Sequence, residues 1–331
     1  MTIDLHAHYC PEELAIELKK RAVPPFISEN SLNNRIFHMP HGSLNFPKSF
    51  SDIEGRREFM AENKIRHQVL SFPGLFGVDS IKVEESLPLV KIFNDRVAEI
   101  CQRFPNNFSG LAALPMADID LATAEFKRAR DQLGLIGAIL PNNFFITEDH
   151  AKKTAPIFET AQKIGGHLFI HPGRRPDEVP ETYQKSKQIF SDFAAERLAL
   201  TVQHNVSHCM VTLLFSNFLD TYPDISLHVA NLGGTFPMVV ERMDNVSRTR
   251  TPNAVLPSSR ANRIHVDCSS LGPRAIEIAA AIFGAEKILF GTDCPIFSTN
   301  QSLHAVNKAN ISDSDKRLIL NDNAEQLLAV Y

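Results

Sequence analysis

The 331-residue chain has 34 basic and 38 acidic side chains, a formal charge of −4, with 44% hydrophobic and 22% charged residues. That composition excludes a disordered or collagen-like chain, and a pI near 6.4 offers no basic surface to nucleic acid. No apolar run approaches the ~18–20 uncharged residues of a membrane span, and the richest one, 275–283, is interrupted by Glu277.

The N-terminus, Met1-Thr2-Ile3-Asp4-Leu5-His6, has no basic region followed by an apolar one, so no signal peptide is expected. Five cysteines at 10, 101, 209, 268 and 294 are odd in number and scattered, which points to reduced thiols in a cytoplasmic protein. In chain order, a β-branched apolar run at 3–8 is followed by a helical pattern at 53–63. A strand at 66–72 precedes a helix at 87–103. A strand at 108–114 precedes a helix at 121–133, which opens after Asp118 as its N-cap. Strand 135–140, helix 151–164, strand 167–171, helix 210–221 and strand 226–231 continue the alternation. Strand 263–268, helix 274–283, strand 287–292 and helix 313–328 close the chain.

Strands alternating with helices predict parallel βαβ units, and eight of them predict an α/β fold, a (β/α)8 TIM barrel. The expected organisation is one domain over 1–331 with a loop insertion at about 21–50 and smaller ones at 172–198 and 244–259. An open doubly wound sheet would be favoured by G-x-G-x-x-G after a strand. None is present, and Asn231-Leu232-Gly233-Gly234 is too short to serve.

In such a barrel, chemistry sits where strands end. The first strand ends in His6-Ala7-His8, and alternation puts both imidazoles on one face, with Leu5 and Ala7 on the other. The fifth ends in His171 and the eighth in Gly291-Thr292-Asp293. Taken singly, these are chance histidines, a strand-end cap and a turn-forming aspartate as readily as ligands. Taken together, strands one and eight are neighbours and strand five lies across the lumen. Three imidazoles and a carboxylate aimed at the axis suit one divalent metal: zinc, or manganese or iron.

The chain resembles the amidohydrolase superfamily, in the branch similar to 2-amino-3-carboxymuconate-6-semialdehyde decarboxylase and the aromatic-acid decarboxylases. The resemblance rests on His6-x-His8, His171-Pro172, Gly233-Gly234-Thr235-Phe236-Pro237 and Phe290-Gly291-Thr292-Asp293-Cys294-Pro295. Tyr222-Pro223-Asp224 and a closing helix with Asn321, Asn323 and Ala324 also fit. It implies a metal held by His6, His8, His171 and Asp293. The fourth strand, Gly137-Ala138-Ile139-Leu140-Pro141, lacks the lysine that bridges two metals in many amidohydrolases, so one ion is expected.

The pattern breaks at residue 231. Family decarboxylases usually have histidine there, before the glycine run, and this chain has Asn231. A carboxamide donates a hydrogen bond but does not pass a proton. His228, an odd number of residues away, is expected on the opposite strand face, between sheet and helices, unless a bulge turns it inward. Proton transfer then falls to Asp293, to metal-bound water, or to the loop histidines His204 and His208.

Arg242 follows the glycine pair at the spacing where the family has an arginine for a substrate carboxylate, sometimes from a neighbouring subunit. Arg174 and Arg175 follow His171. Phe72, Phe76, Phe144, Phe145 and Phe297 follow strand ends and could wall a flat substrate, although 23 Phe against no Trp means many are core. Cys10 and Cys294 are expected to be buried thiols.

The implied activity is metal-dependent, non-oxidative decarboxylation of a small aromatic or unsaturated carboxylic acid. Asp293 and Asn231 are the expected catalytic residues, and Arg242 and Phe297 the expected substrate contacts. The alternatives are a hydrolase or hydratase acting on a lactone, amide or unsaturated acid, and a non-catalytic binder that keeps the metal. The expected partners are the acid substrate and a second copy in a homodimer with Arg242 near the interface. Nucleic acid and membrane are not expected partners.

Overall fold

In the computed structural model, which describes residues 1–32, 34–40, 42–179 and 192–331, the first strand β1 (Thr2–His8) leads into α1 (Glu12–Lys19). An antiparallel sheet follows, formed by β2 (Phe26–Glu29), β3 (Arg35–Met39) and β4 (Gly42–Asn45). The chain continues through α2 (Ile53–Glu62), β5 (Ile65–Ser71), α3 (Val83–Arg103), β6 (Phe108–Ala112), α4 (Ile119–Asp131) and β7 (Gly137–Pro141). Next come α5 (Glu148–Lys153), α6 (Ala155–Ile164), β8 (His167–His171), α7 (Ala194–Phe215), β9 (Ser226–Val229) and α8 (Phe236–Arg250). It ends with β10 (His265–Asp267), α9 (Pro273–Phe283), β11 (Ile288–Leu289), α10 (Thr299–Lys308), α11 (Asp313–Arg317) and α12 (Asn323–Leu328).

Eight strands pair in parallel in the order β1-β5-β6-β7-β8-β9-β10-β11. The ends of this sheet meet: Leu5 N–H donates to the Phe290 carbonyl at 2.9 Å, and His8 N–H to the Cys294 carbonyl at 2.7 Å. An isolated bridge pairs Ala7 with Cys294. The architecture is a (β/α)8 barrel, as the alternation of patterns predicts.

Two packed regions follow from strand alternation. Ile3, Leu5, Val69, Leu111, Ile139, Phe169, Ala230 and Leu289 form one buried cluster. Residues drawn from so many strands of a closed sheet meet only in its lumen. The larger cluster lies between strands and helices. Leu5 is a correction to simple alternation. The β1–β5 register runs from Asp4↔Gln68 to Ala7↔Leu70, so β1 carries one extra residue, and Leu5 joins the lumen together with His6.

The 21–50 segment is more ordered than its weak periodicity suggests. Phe37 in β3 packs on Phe76 at 4.2 Å between ring centroids, and Phe46 stacks on Phe50 at 4.7 Å. Arg35 donates both terminal nitrogens to Glu12 of α1, at 2.8 and 2.7 Å. This aromatic plug fixes the small sheet to the loop after β5. Part of the 172–198 stretch, 180–191, lies outside the described residues.

The helices α1, α8 and α10 are additional to those expected, and α7 begins sixteen residues before 210. In α8 the buried stripe Phe236-Val240 continues to Asp244, a buried carboxylate that caps Ser258 N–H at 3.1 Å and hides the period. The early part of α7 exposes Leu198 and Leu200, so it lacks a polar outer face. His204 and His208 therefore sit on a helix, not a loop. Among the described residues no helix is long and apolar enough to cross a membrane, and all five cysteines are free.

Candidate metal centre

His6 and His8 project from β1, His171 from the end of β8 and Asp293 from the turn after β11. All four are buried. That turn is tied to β1, because Thr292 and Asp293 both donate their N–H to the His6 carbonyl, at 3.2 and 2.7 Å. Beneath it, the buried carboxylate of Asp4 accepts from Thr292 N–H, Thr292 O–H, His6 N–H and the Gln68 amide, at 2.7–3.1 Å. Asp4 thus pins the two sequence-distant motifs together. Burial pushes its carboxyl up to about 6, against those hydrogen bonds.

The three imidazoles converge through one nitrogen each. His8 Nε2 lies 3.2 Å from both His6 Nε2 and His171 Nε2, and 3.1 Å from Asp293 Oδ1. The other nitrogen of each ring is held from outside. His6 Nδ1 donates to Asp267 Oδ2 at 3.0 Å. His8 Nδ1 donates to Ser71 Oγ at 3.1 Å, whose own O–H turns to the Ala7 carbonyl. His171 Nδ1 donates to the Pro172 carbonyl at 2.9 Å. These partners place the protons on Nδ1 and leave three Nε2 lone pairs facing one another.

Lone pairs crowded to this distance repel unless a cation lies among them. Asp293 Oδ1, the fourth convergent atom, is buried with no hydrogen-bond partner among the described residues. Donors about 2.0–2.1 Å from a tetrahedral ion stand roughly 3.3 Å apart, close to the three spacings around His8 Nε2, while His6 Nε2 lies 3.7 Å from Asp293 Oδ1 and the four atoms span up to 4.8 Å. The electrostatics agree. Burial disfavours a charged His6, yet Asp267, Asp293 and Asp4 outweigh it and hold the ring up at about 9, so that when no metal ion is held a proton on His6 Nε2 takes the cation's place. The site therefore favours positive charge. Burial pulls His8 and His171 down, keeping both rings neutral. The residues present fit a divalent ion.

The family's sequence profile matches residues 3–330. The chain belongs to the amidohydrolase family. It is 23% identical over 347 residues to a 2-amino-3-carboxymuconate-6-semialdehyde decarboxylase of Dictyostelium discoideum, covering 100% of this chain and 92% of that one. The crystal structure of Metarhizium anisopliae IDCase superposes with a TM-score of 0.83 at 17% identity, over 100% of this chain and 97% of that one. A dihydroxybenzoic acid decarboxylase from Polaromonas sp. JS666, solved with manganese and 2-nitroresorcinol, gives a TM-score of 0.74 at 22% identity, over 99% and 97% of the two chains.

The remaining sequence-derived residues of this amidohydrolase divide. Asn231 is buried; its N–H lies 3.4 Å from Asp267 Oδ1, and its Oδ1 accepts from Ser269 Oγ at 2.7 Å. His228 is a correction. It pairs in register with Phe169 and stacks on it at 4.0 Å, so it faces the lumen rather than the helices. The parity argument fails because β9 stops at Val229 and Asn231 takes φ +57, off the strand. Arg242 is exposed on α8, and Phe297 is half exposed beyond Asp293. Phe72, Phe76, Phe144 and Phe145 are core. Cys10 and Cys294 are buried, and burial pushes both thiols up.

Asp267 escaped the sequence reading. It is the carboxylate that orients His6, and the histidines beside it draw its carboxyl well below the usual range despite burial. Its signal was present: His265-Val266-Asp267 ends a strand with the same one-residue spacing as His6-Ala7-His8.

Proposed function

We propose that this chain is a metal-dependent decarboxylase of a small aromatic or unsaturated carboxylic acid, working as a single barrel domain over 1–331. The observation that carries the reading is the convergence of three imidazole Nε2 atoms and an unpartnered carboxylate oxygen at the C-terminal end of the barrel. The decarboxylase relatives support the chemistry. In this reading His6, His8, His171 and Asp293 hold one divalent ion. The donor set suits zinc, and manganese, found in the Polaromonas relative, is the alternative. When bound, the ion supplies charge stabilisation to substrate oxygens.

Loss of CO2 leaves an electron pair on carbon, which must take up a proton. With Asn231 where the family has histidine, Asp293 is the nearest group able to carry it. Asn231 acts as a hydrogen-bond donor. The bond from Ser269 to its Oδ1 sets the amide so that Nδ2 is the end left for substrate. Arg242 binds a substrate carboxylate across a homodimer interface. Exposed Met238 and Val246, one turn to either side of it on α8, support a covered face there. Phe297 walls the substrate. The free cysteines suit a cytoplasmic setting.

The test is a panel of hydroxybenzoates and unsaturated acids offered to protein loaded with zinc or manganese and scored for CO2. Gas release that stops on chelation and returns with metal is expected. Base uptake or ring opening without CO2 would replace this reading with the hydrolase one.

A further inference from the structure

His204 and His208 lie well inside α7, four residues apart, and belong to no part of the metal centre. Helical neighbours at this spacing share a face, and their side chains lean toward the N-terminus, so the His208 ring swings back onto the His204 ring. The two rings meet edge-on, with centroids 4.6 Å apart and planes at 84°. The atoms that meet are both Nε2, 3.1 Å apart. Both residues are exposed, and neither ring has another hydrogen-bond or ion-pair partner among the described residues.

Convergent Nε2 atoms also mark the metal centre, but the surroundings differ. The centre is buried and has a carboxylate among its four donors, whereas here two donors face water. From Leu198 to Phe215, α7 carries no Asp, Glu, Lys or Arg, so on this helix no carboxylate joins the donor set and no cation opposes an ion. Nitrogens 3.1 Å apart subtend about 100° at an ion about 2.0–2.1 Å from each, between the ligand angles of octahedral and tetrahedral coordination.

We propose that His204 and His208 form a second metal site, bidentate and exchangeable, for a nitrogen-preferring divalent ion such as zinc, nickel or copper, with water completing the coordination. Without an ion, the Nε2–H of one ring donates to the Nε2 of the other. The ion takes the place of that proton, which moves to the free Nδ1 of the same ring. Both rings then coordinate as neutral imidazoles and no proton is released. Imidazole selects these ions over magnesium and calcium. Two ligands where a structural zinc site has four, with no outer partner to orient either ring, set a dissociation constant on the order of 10 μM. Desalting strips such an ion and leaves a tightly held one at the metal centre in place.

The test is calorimetric titration of zinc into the full chain already carrying one equivalent of zinc, with magnesium as the control ion. Wild type should show a further event of one ion per chain in the micromolar range, and none with magnesium. His204→Ala and His208→Ala should each weaken that event at least ~10-fold, since losing a ligand costs no less than losing an outer partner. His304→Ala, at an exposed histidine of α10, should leave it within about twofold. Alanine favours helix at both α7 positions, and circular dichroism with melting reports the folding of each variant. No further event up to millimolar zinc, an equal event with magnesium, or an undiminished event in folded His204→Ala and His208→Ala proteins overturns the proposal. So does an equal loss in His304→Ala. The 3.1 Å contact is then a ring-to-ring hydrogen bond alone. None of these outcomes depends on the decarboxylase reading.

Discussion

His167 and His171 lie on one strand, four residues apart, and face the same lumen. Both are buried among other histidines, yet the two clusters are built in opposite ways. In the lower one, Ser226 Oγ meets His167 Nδ1 at 2.7 Å, and His167 Nε2 meets His228 Nδ1 at 2.6 Å, the rings nearly parallel at 11°. Polar atoms there pair with one another except His228 Nε2, which has no hydrogen-bond partner among the described residues and lies 3.6 Å from Asp267 Oδ2. In the upper one, each Nδ1 is spent on Asp267, Ser71 or Pro172, and the rings stand edge-on at 76–89° with three Nε2 atoms facing inward. What separates a ligand histidine from a packing histidine is where its second nitrogen is spent, not burial or strand position.

The sharpest way to break that contrast is to remove one ring from each cluster. His171→Ala should weaken metal binding by more than about 100-fold, whereas His167→Phe should hold it within roughly threefold; chelator competition reads both. Equal losses would erase the distinction. Asp267→Asn probes the partner that sets the His6 proton. It keeps an acceptor for Nδ1 but loses the charge, and metal affinity should fall by about 10- to 100-fold.

His228→Asn belongs to the lower cluster. It removes the partner of His167 and the stack on Phe169, and it should cost about 1–3 kcal/mol in urea unfolding while metal content is unchanged. Metal loss matching that of Asp267→Asn would instead make His228, whose Nε2 lies 3.6 Å from Asp267 Oδ2, part of the upper cluster.

Acids show the same contrast on a smaller scale. Asp267 has histidines beside it and is drawn down, whereas Asp79 is buried with Ser80 O–H as its side-chain donor and is pushed up to about 7 by burial. Between its unfolded value near 3.8 and about 7, the folded chain keeps a proton that the unfolded chain has released. Stability contributed by protonated Asp79 is therefore full below the unfolded value and is lost as pH rises through the folded one. Asp79→Asn should gain on the order of 1 kcal/mol over wild type between pH 6 and 7. A difference independent of pH would mean that Asp79 ionises freely in the fold.

The barrel was legible because its eight inner strands are short apolar runs separated by helical periods, and because ligand-type residues stand at three of their ends. His6, His8, His171 and Asp293 were readable from strand alternation and the closure of β11 onto β1. The features that were not readable depend on local departures from regular geometry. Leu5 turns inward through the extra residue in β1, and His228 faces inward by its register with Phe169, which parity counted from Asn231 misses because β9 ends two residues before it. Asp244 interrupts an apolar stripe with a buried carboxylate whose partner, Ser258, is fourteen residues away. Asp267 needed knowledge of which ring nitrogen it meets, a tertiary fact.

Metal content bears most directly on the central claim that the upper cluster is an ion site. Elemental analysis of protein purified without added metal should give one divalent ion per chain, since four donors converge and β7 offers no bridging lysine. Turnover should disappear on exhaustive chelation and return when one equivalent of zinc or manganese is restored. Two tightly held ions per chain, or full turnover with none, would contradict the account.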